Sequence, residues 1–188
     1  MGLTSVRTTK GALVAKFDGL EQTKPRALSA HVDTLGAVVA EIKGNGRLRL
    51  TALNGLEWNS VESENVWIQT RHGRQIRGSL VLHNGAVHVN RESATTPRKP
   101  ETLEVRIDDR TNSADETRLL GIEVGNFVYF DPRLEVADSG FIKSRFLDDK
   151  ACVACILAAL KALTDAGVHP AQRTHVLFSN FEEVGHGG

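Results

Sequence analysis

The segment Thr174-His175-Val176-Leu177-Phe178-Ser179-Asn180-Phe181-Glu182-Glu183-Val184-Gly185 settles the class of the architecture. Its apolar start, Thr174 to Phe178, reads as a short buried strand. Just before it, Asp149 to Ala166 predicts a helix. Cys152, Cys155, Ile156, Ala159, Leu160 and Leu163 keep three- and four-residue spacing, and Gly167 supplies the stop. A strand after a crossover helix is the βαβ signature of a parallel sheet, so the host domain reads as α/β. Two adjacent carboxylates, Glu182 and Glu183, follow the strand. Neighbours at a strand end point in different directions, so one can hold a metal ion while the other faces a bound water. Gly185, Gly187 and Gly188 then let the backbone approach a ligand.

Upstream, Val6 to Asp18 reads as strand, with Gly11 to Phe17 its clearest part and Asp18-Gly19 its closing turn. Arg26 to His31 is mostly apolar and is expected to be a central strand ending at His31 and Asp33. Ala37 to Ile42 is another strand. Asn45-Gly46 signals a hairpin whose return arm, Arg47 to Leu53, alternates polar with apolar residues. From Lys43 to Pro132 the texture changes. Strand-like runs (Val66 to Thr70, Gln75 to Leu82, Leu103 to Ile107, Ile122 to Phe130) alternate with tight turns such as His72-Gly73, the pattern of a small β-barrel or sandwich. Ser93 to Pro100 is a polar loop. Ser113-Ala114-Asp115-Glu116 opens a capped helix that Gly121 stops. The organisation is therefore a β-rich insert at 43–132 within a host formed by 1–42 and 133–188.

Composition excludes several classes of function. Lys plus Arg is 23 and Asp plus Glu is 23, so the net charge is zero and the usual electrostatic argument for nucleic acid or an anionic membrane is lacking. No apolar run reaches the length of a membrane span. Met1 to Lys10 is polar and lacks a signal-peptide core. Two cysteines do not make a disulfide framework, and a cytoplasmic location is the expectation.

His31, Asp148 and Glu183 each fall at the end of an apolar element. In open α/β sheets, ligand sites form at the carboxyl ends of strands. His, Asp and Glu are the mixed nitrogen and oxygen donors that catalytic zinc accepts, and a carboxylate can bridge two metals. Glu182 is placed to act as a general base, and Asp33 to orient the His31 imidazole. Each feature also has an ordinary reading: a structural histidine, an N-cap pair at Asp148-Asp149, a solvated Glu pair. Only their joint placement favours a site. Cys152 and Cys155 read as core packing rather than a redox pair. His72, His83, His88 and His169 read as surface or structural, and His186 as lining the site without ligating. Lys150 reads as a charge partner of the Asp pair, and Trp58 and Trp67 as core or interface anchors.

Ala30-His31-Val32-Asp33-Thr34-Leu35-Gly36, Leu147-Asp148-Asp149-Lys150-Ala151 and Glu182-Glu183-Val184-Gly185 resemble, in order and approximate spacing, three motifs of the tetrahedral aminopeptidases. These are the glutamyl and deblocking aminopeptidases, dinuclear metallopeptidases related to the bacterial leucine aminopeptidases. Asn59-Ser60-Val61-Glu62 and Gly140 to Arg145 are similar too, so the likeness covers nearly the whole chain. The resemblance implies a phosphorylase/hydrolase-like α/β/α catalytic domain, interrupted by a β-barrel-like dimerisation domain. It implies two divalent metal ions, zinc or cobalt. His31 would ligate one, Glu183 the other, Asp148 would bridge them, Glu182 would be the general base and Asp33 the supporting acid. It also implies peptide substrates cleaved at the N-terminal residue, and homo-oligomers in which dimers assemble into a larger particle. Family members supply a further Asp and a late His beyond the Glu-Glu motif. The chain therefore resembles a fragment lacking the N-terminal helix and the C-terminal half of the catalytic domain. Two other functions stay open: an inactive remnant acting through its dimerisation surface, and a carboxypeptidase-like or deacylating hydrolase of the same clan.

Overall fold

A computed structural model describes residues 3–185; His186, Gly187 and Gly188, considered above as part of the site, lie outside the described residues. In chain order the elements are β1 (Ser5–Arg7), β2 (Leu13–Phe17), β3 (Glu21–His31), β4 (Gly36–Ile42), β5 (Leu48–Leu53), β6 (Asn65–Gln69), β7 (Gln75–Leu82), β8 (Leu103–Ile107), α1 (Ala114–Leu119), β9 (Phe127–Phe130), β10 (Glu135–Val136), β11 (Ile142–Lys143), α2 (Leu147–Asp165) and β12 (Gln172–Ser179). They form two compact units. One is the chain up to Thr34 together with the chain from Phe146 onward; the other is Leu35–Arg145.

The first unit holds a four-stranded sheet in the order β1-β2-β12-β3. β12 runs parallel to β3, the βαβ relation expected from the sequence, but antiparallel to β2, so the sheet is mixed. The run Val6 to Asp18 is two strands rather than one. The chain turns at Thr8 to Gly11, where the Gly11 amide donates to the Thr8 carbonyl at 2.9 Å and Gly11 adopts φ +90°. Among the described residues β3 pairs with β12, and the register shifts between Glu21 and Arg26, where Pro25 has no N–H to give the ladder.

The core of this unit joins Ala15, Phe17, Ala30, Val176 and Phe178 of the sheet to Leu160 of α2, with Val153, Ile156 and Leu163 packed against it. Cys152 and Cys155 are exposed, contrary to the core packing expected of them. Ile156, Leu160 and Leu163 of the expected stripe do meet the sheet; Val153, one position on, takes the place of Cys152, and one residue turns a helix by about 100°. Small apolar residues surround this helix, so periodicity alone leaves two candidate stripes. No helix among the described residues is long and apolar enough to cross a membrane.

The second unit is a closed barrel in the order β4-β5-β8-β7-β6-β9. Alternation places Val39, Leu48, Leu50, Val66, Ile68, Leu80, Val105 and Val128 inside, each no more than 2% exposed. β4, which sequence texture assigns to the host, pairs on both sides within the barrel, Ala37 with Ala52 of β5 and with Val128 of β9. Residues 133–145 also fall in this unit. Ile122 to Asn126 does not extend β9; the Asn126 amide donates to the Glu123 carbonyl at 3.1 Å instead. Ser113 caps α1 by accepting from the Glu116 amide, and Gly121 follows the helix at φ +87°.

Trp67 is half-buried on the barrel, and the Arg77 guanidinium lies 4.2 Å from its ring centroid. Arg77 donates twice to Asp131, at 2.8 Å on each oxygen, and this holds the Asp131 carboxyl below its usual range. A depressed carboxylate adds stability above its unfolded value, and that stability is lost as pH falls through the folded value. Asp131→Asn is therefore expected to destabilise the barrel by about 1–2 kcal/mol near pH 7, discounted for partial exposure. The difference from wild type should shrink in acid; denaturation curves from about pH 7 down to about pH 2 check this. A difference independent of pH would contradict the assignment.

Candidate active site

Register builds the site. Ser179 of β12 lies opposite His31 of β3, and the Val32 amide donates to the Ser179 carbonyl at 2.8 Å. The two parallel strands end together, so His31-Val32-Asp33 and Phe181-Glu182-Glu183 leave the sheet at one edge. Glu182–Val184 forms a short 3-10 turn closed by Gly185 at φ +107°. The start of α2 reaches the same edge, where Asp148 and Asp149 have non-helical backbone.

The His31 imidazole is buried, with its side chain 8% exposed, whereas that of Asp148 is 89% exposed. Its Nδ1 lies 3.0 Å from the Asp33 backbone carbonyl. A carbonyl only accepts, so Nδ1 carries a proton. The other nitrogen, Nε2, lies 3.1 Å from Asp148 Oδ1 and 3.8 Å from Glu182 Oε2. In the neutral ring Nε2 is a lone pair, and it would face two anionic oxygens. Only a proton or a cation makes that arrangement favourable. Burial alone would push the imidazole down, but the Asp148 hydrogen bond, with Asp33 and Glu182, outweighs it and raises the His31 pKa above its ordinary value. The same donors suit a divalent metal. Ligand atoms of His31, Asp148 and Asp149 lie within 4.8 Å of one another, as do those of His31, Glu182 and Glu183. Around them is an open cleft of about 410 Å³.

The structure thus brings together His31, Asp33, Asp148, Glu182 and Glu183, the five residues singled out from sequence. Asp33 divides its contacts. Its backbone carbonyl meets the imidazole, and its carboxylate accepts the amides of Glu182 at 3.4 Å and Glu183 at 3.0 Å while Oδ1 also lies 3.4 Å from His31 Nδ1. Lys150 does not pair with the Asp carboxylates; its ammonium donates to the Val32 carbonyl at 2.8 Å. Asp149 is a site residue that sequence reasoning misses. Its carboxylate accepts the His31 amide at 3.3 Å and the Cys152 thiol, and the thiol contact lowers its pKa. The same contact pushes the Cys152 thiol up, away from the thiolate a redox pair requires. The only advance signal for Asp149 is its adjacency to Asp148. His72, His83, His88 and His169 are exposed.

The family model of the M42 glutamyl aminopeptidases matches residues 11–188. The chain belongs to this family. Among its relatives, YhfE of Bacillus subtilis (strain 168) is 44% identical over 184 residues, covering 98% of this chain and 53% of its own length. Aminopeptidase APDkam598 from the archaeon Desulfurococcus kamchatkensis is 26% identical, with a TM-score of 0.82 over 98% of this chain and 48% of that one. The TET1 peptidase of Pyrococcus horikoshii, which can assemble into a tetrahedron or a large octahedral shell, is 22% identical with a TM-score of 0.79. It covers 98% of this chain and 53% of its own, a likeness of fold. This M42 chain spans about half the length of these relatives. Its mixed sheet and barrel are the M42 architecture expected from the three motifs.

Proposed function

We propose that this chain carries part of the active centre of a metal-dependent aminopeptidase, which in a protein of its relatives' length removes N-terminal residues from peptides. The observation that carries the reading is the buried His31 Nε2, 3.1 Å from the Asp148 carboxylate and 3.8 Å from that of Glu182. His31 and Glu183 would each hold one of two divalent ions, zinc or cobalt, with Asp148 shared between them. Such ions polarise the scissile carbonyl and acidify water. The protein's own residues do the rest. The Asp33 carbonyl keeps the proton on His31 Nδ1 and so keeps Nε2 able to donate its lone pair. Glu182 takes a proton from the attacking water and returns it to the departing amine. Asp33 holds the turn that bears both glutamates.

Other copies of the chain are the proposed partners, beside peptide substrates. Phe127 and Tyr129 stack on the barrel at 6.5 Å between centroids and are about half exposed, which favours self-association. The second reading, a catalytically silent chain associating through the barrel, rests on the same pair. Two free cysteines fit a reducing compartment such as the cytoplasm.

Zinc titration of the purified chain separates the readings. Saturable binding is expected, with affinity lowered by more than about 10–100-fold in His31→Ala and in Glu183→Ala. Equal binding by wild type and both variants would count against the metal centre.

A further inference from the structure

We propose that Lys150 is a positioning residue, acting through Asp33 on the turn that carries Glu182 and Glu183. This deepens the reading of those two glutamates given above and rests on it for its chemical meaning. The geometry runs through Val32. Its amide donates to Ser179 at the end of β12, and its carbonyl accepts from the Lys150 ammonium at the start of α2, each at 2.8 Å. Val32 is thus pinned from two elements far apart in sequence. Asp33 follows it directly, with its backbone placed by that double anchor. Asp33 then passes position on in two directions. Its carbonyl takes His31 Nδ1 at 3.0 Å; its carboxylate gives one oxygen to the Glu182 amide and the other to the Glu183 amide.

One oxygen per amide is a strict arrangement. A small shift or rotation of the carboxylate loses both contacts, because hydrogen bonds weaken steeply with angle. Adjacent glutamates with different tasks need a fixed backbone, since a turn that rocks exchanges their directions. Lys150 suits the anchoring role because its stem can reach across from α2 and its head carries three donors and no acceptor. A lysine that merely solvates the surface would leave the turn unaffected by its loss.

Backbone amide exchange, followed by NMR on the metal-free chain, tests this. Lys150→Met keeps the stem and removes the donor. Exchange at the Glu182 and Glu183 amides should rise about tenfold or more, while Val176 in the middle of β12 stays unchanged. Lys150→Arg should restore protection, and Asp33→Asn should release the same two amides. Unchanged exchange at Glu182 and Glu183 in Lys150→Met overturns the proposal. So does an equal rise at Val176, which would make Lys150 a residue of general stability. The readout needs no metal, so its failure is separate from failure of the zinc titration. A chain whose zinc binding is unaltered by His31→Ala and Glu183→Ala yet shows the selective rise refutes the metal centre and leaves the Lys150 role standing.

Discussion

Glu182→Gln, in an active protein containing this chain, lowers kcat for release of N-terminal residues by about 10²–10⁴-fold, the usual worth of a positioned general base. Glutamine keeps the shape of the side chain and loses the basic oxygen. The Glu182 amide contact with Asp33 is made by backbone, so the turn survives the substitution. KM and metal content should therefore change little, and the loss should resist added metal. Glu183→Gln should behave differently. Its defect is in metal affinity, so excess zinc should recover activity in part. Steady-state kinetics with metal analysis of both variants distinguish the two roles. A Glu182→Gln enzyme within a few-fold of wild type would remove Glu182 from the mechanism; recovery of that variant by excess metal would exchange the roles of the two glutamates.

The second large effect lies in the barrel. Leu80→Ala is expected to cost about 2–5 kcal/mol of unfolding free energy. Leu80 is fully buried in β7 and lies opposite Val105 of β8. Its backbone is held on the other side too: the Leu80 amide donates to Glu64 at 2.9 Å, and its carbonyl accepts from Ser63 at 2.8 Å. A backbone so fixed cannot move in to fill the space left by three lost carbons. The transfer term alone is about 0.8 kcal/mol per carbon, and the residual cavity adds to it. Trp58 and Trp67 are the chain's two tryptophans and both fall in the barrel unit, so their fluorescence during urea denaturation reports on the barrel. A loss below about 1 kcal/mol, the level expected for a surface substitution, would mean that the interior is loosely packed.

Much of this was legible before any coordinates. β5 announced itself by two-residue alternation, because one face of the strand meets the barrel interior and the other does not, and β6 to β8 by strand-like runs between tight turns such as His72-Gly73. Ser113 announced α1 because a hydroxyl at that position satisfies an otherwise orphaned amide. The convergence of His31, Asp148, Glu182 and Glu183 was also readable. His31 ends β3, the glutamates follow β12 and Asp148 opens α2, and parallel strands joined by a crossover end on the same side of the sheet.

Other features had no local signal. Val153 rather than Cys152 faces the sheet, and both are apolar enough to do so. The Asp33 carboxylate reaches the Glu183 amide across a separation of 150 residues, and Lys150 reaches Val32 across 118. Element type and the chemistry of the candidate site follow from residue identity and short-range spacing, because backbone periodicity and donor type are local properties. Which oxygen meets which amide depends on how separate elements dock, because a side chain's direction is set by the surfaces packed around it rather than by its neighbours in the chain.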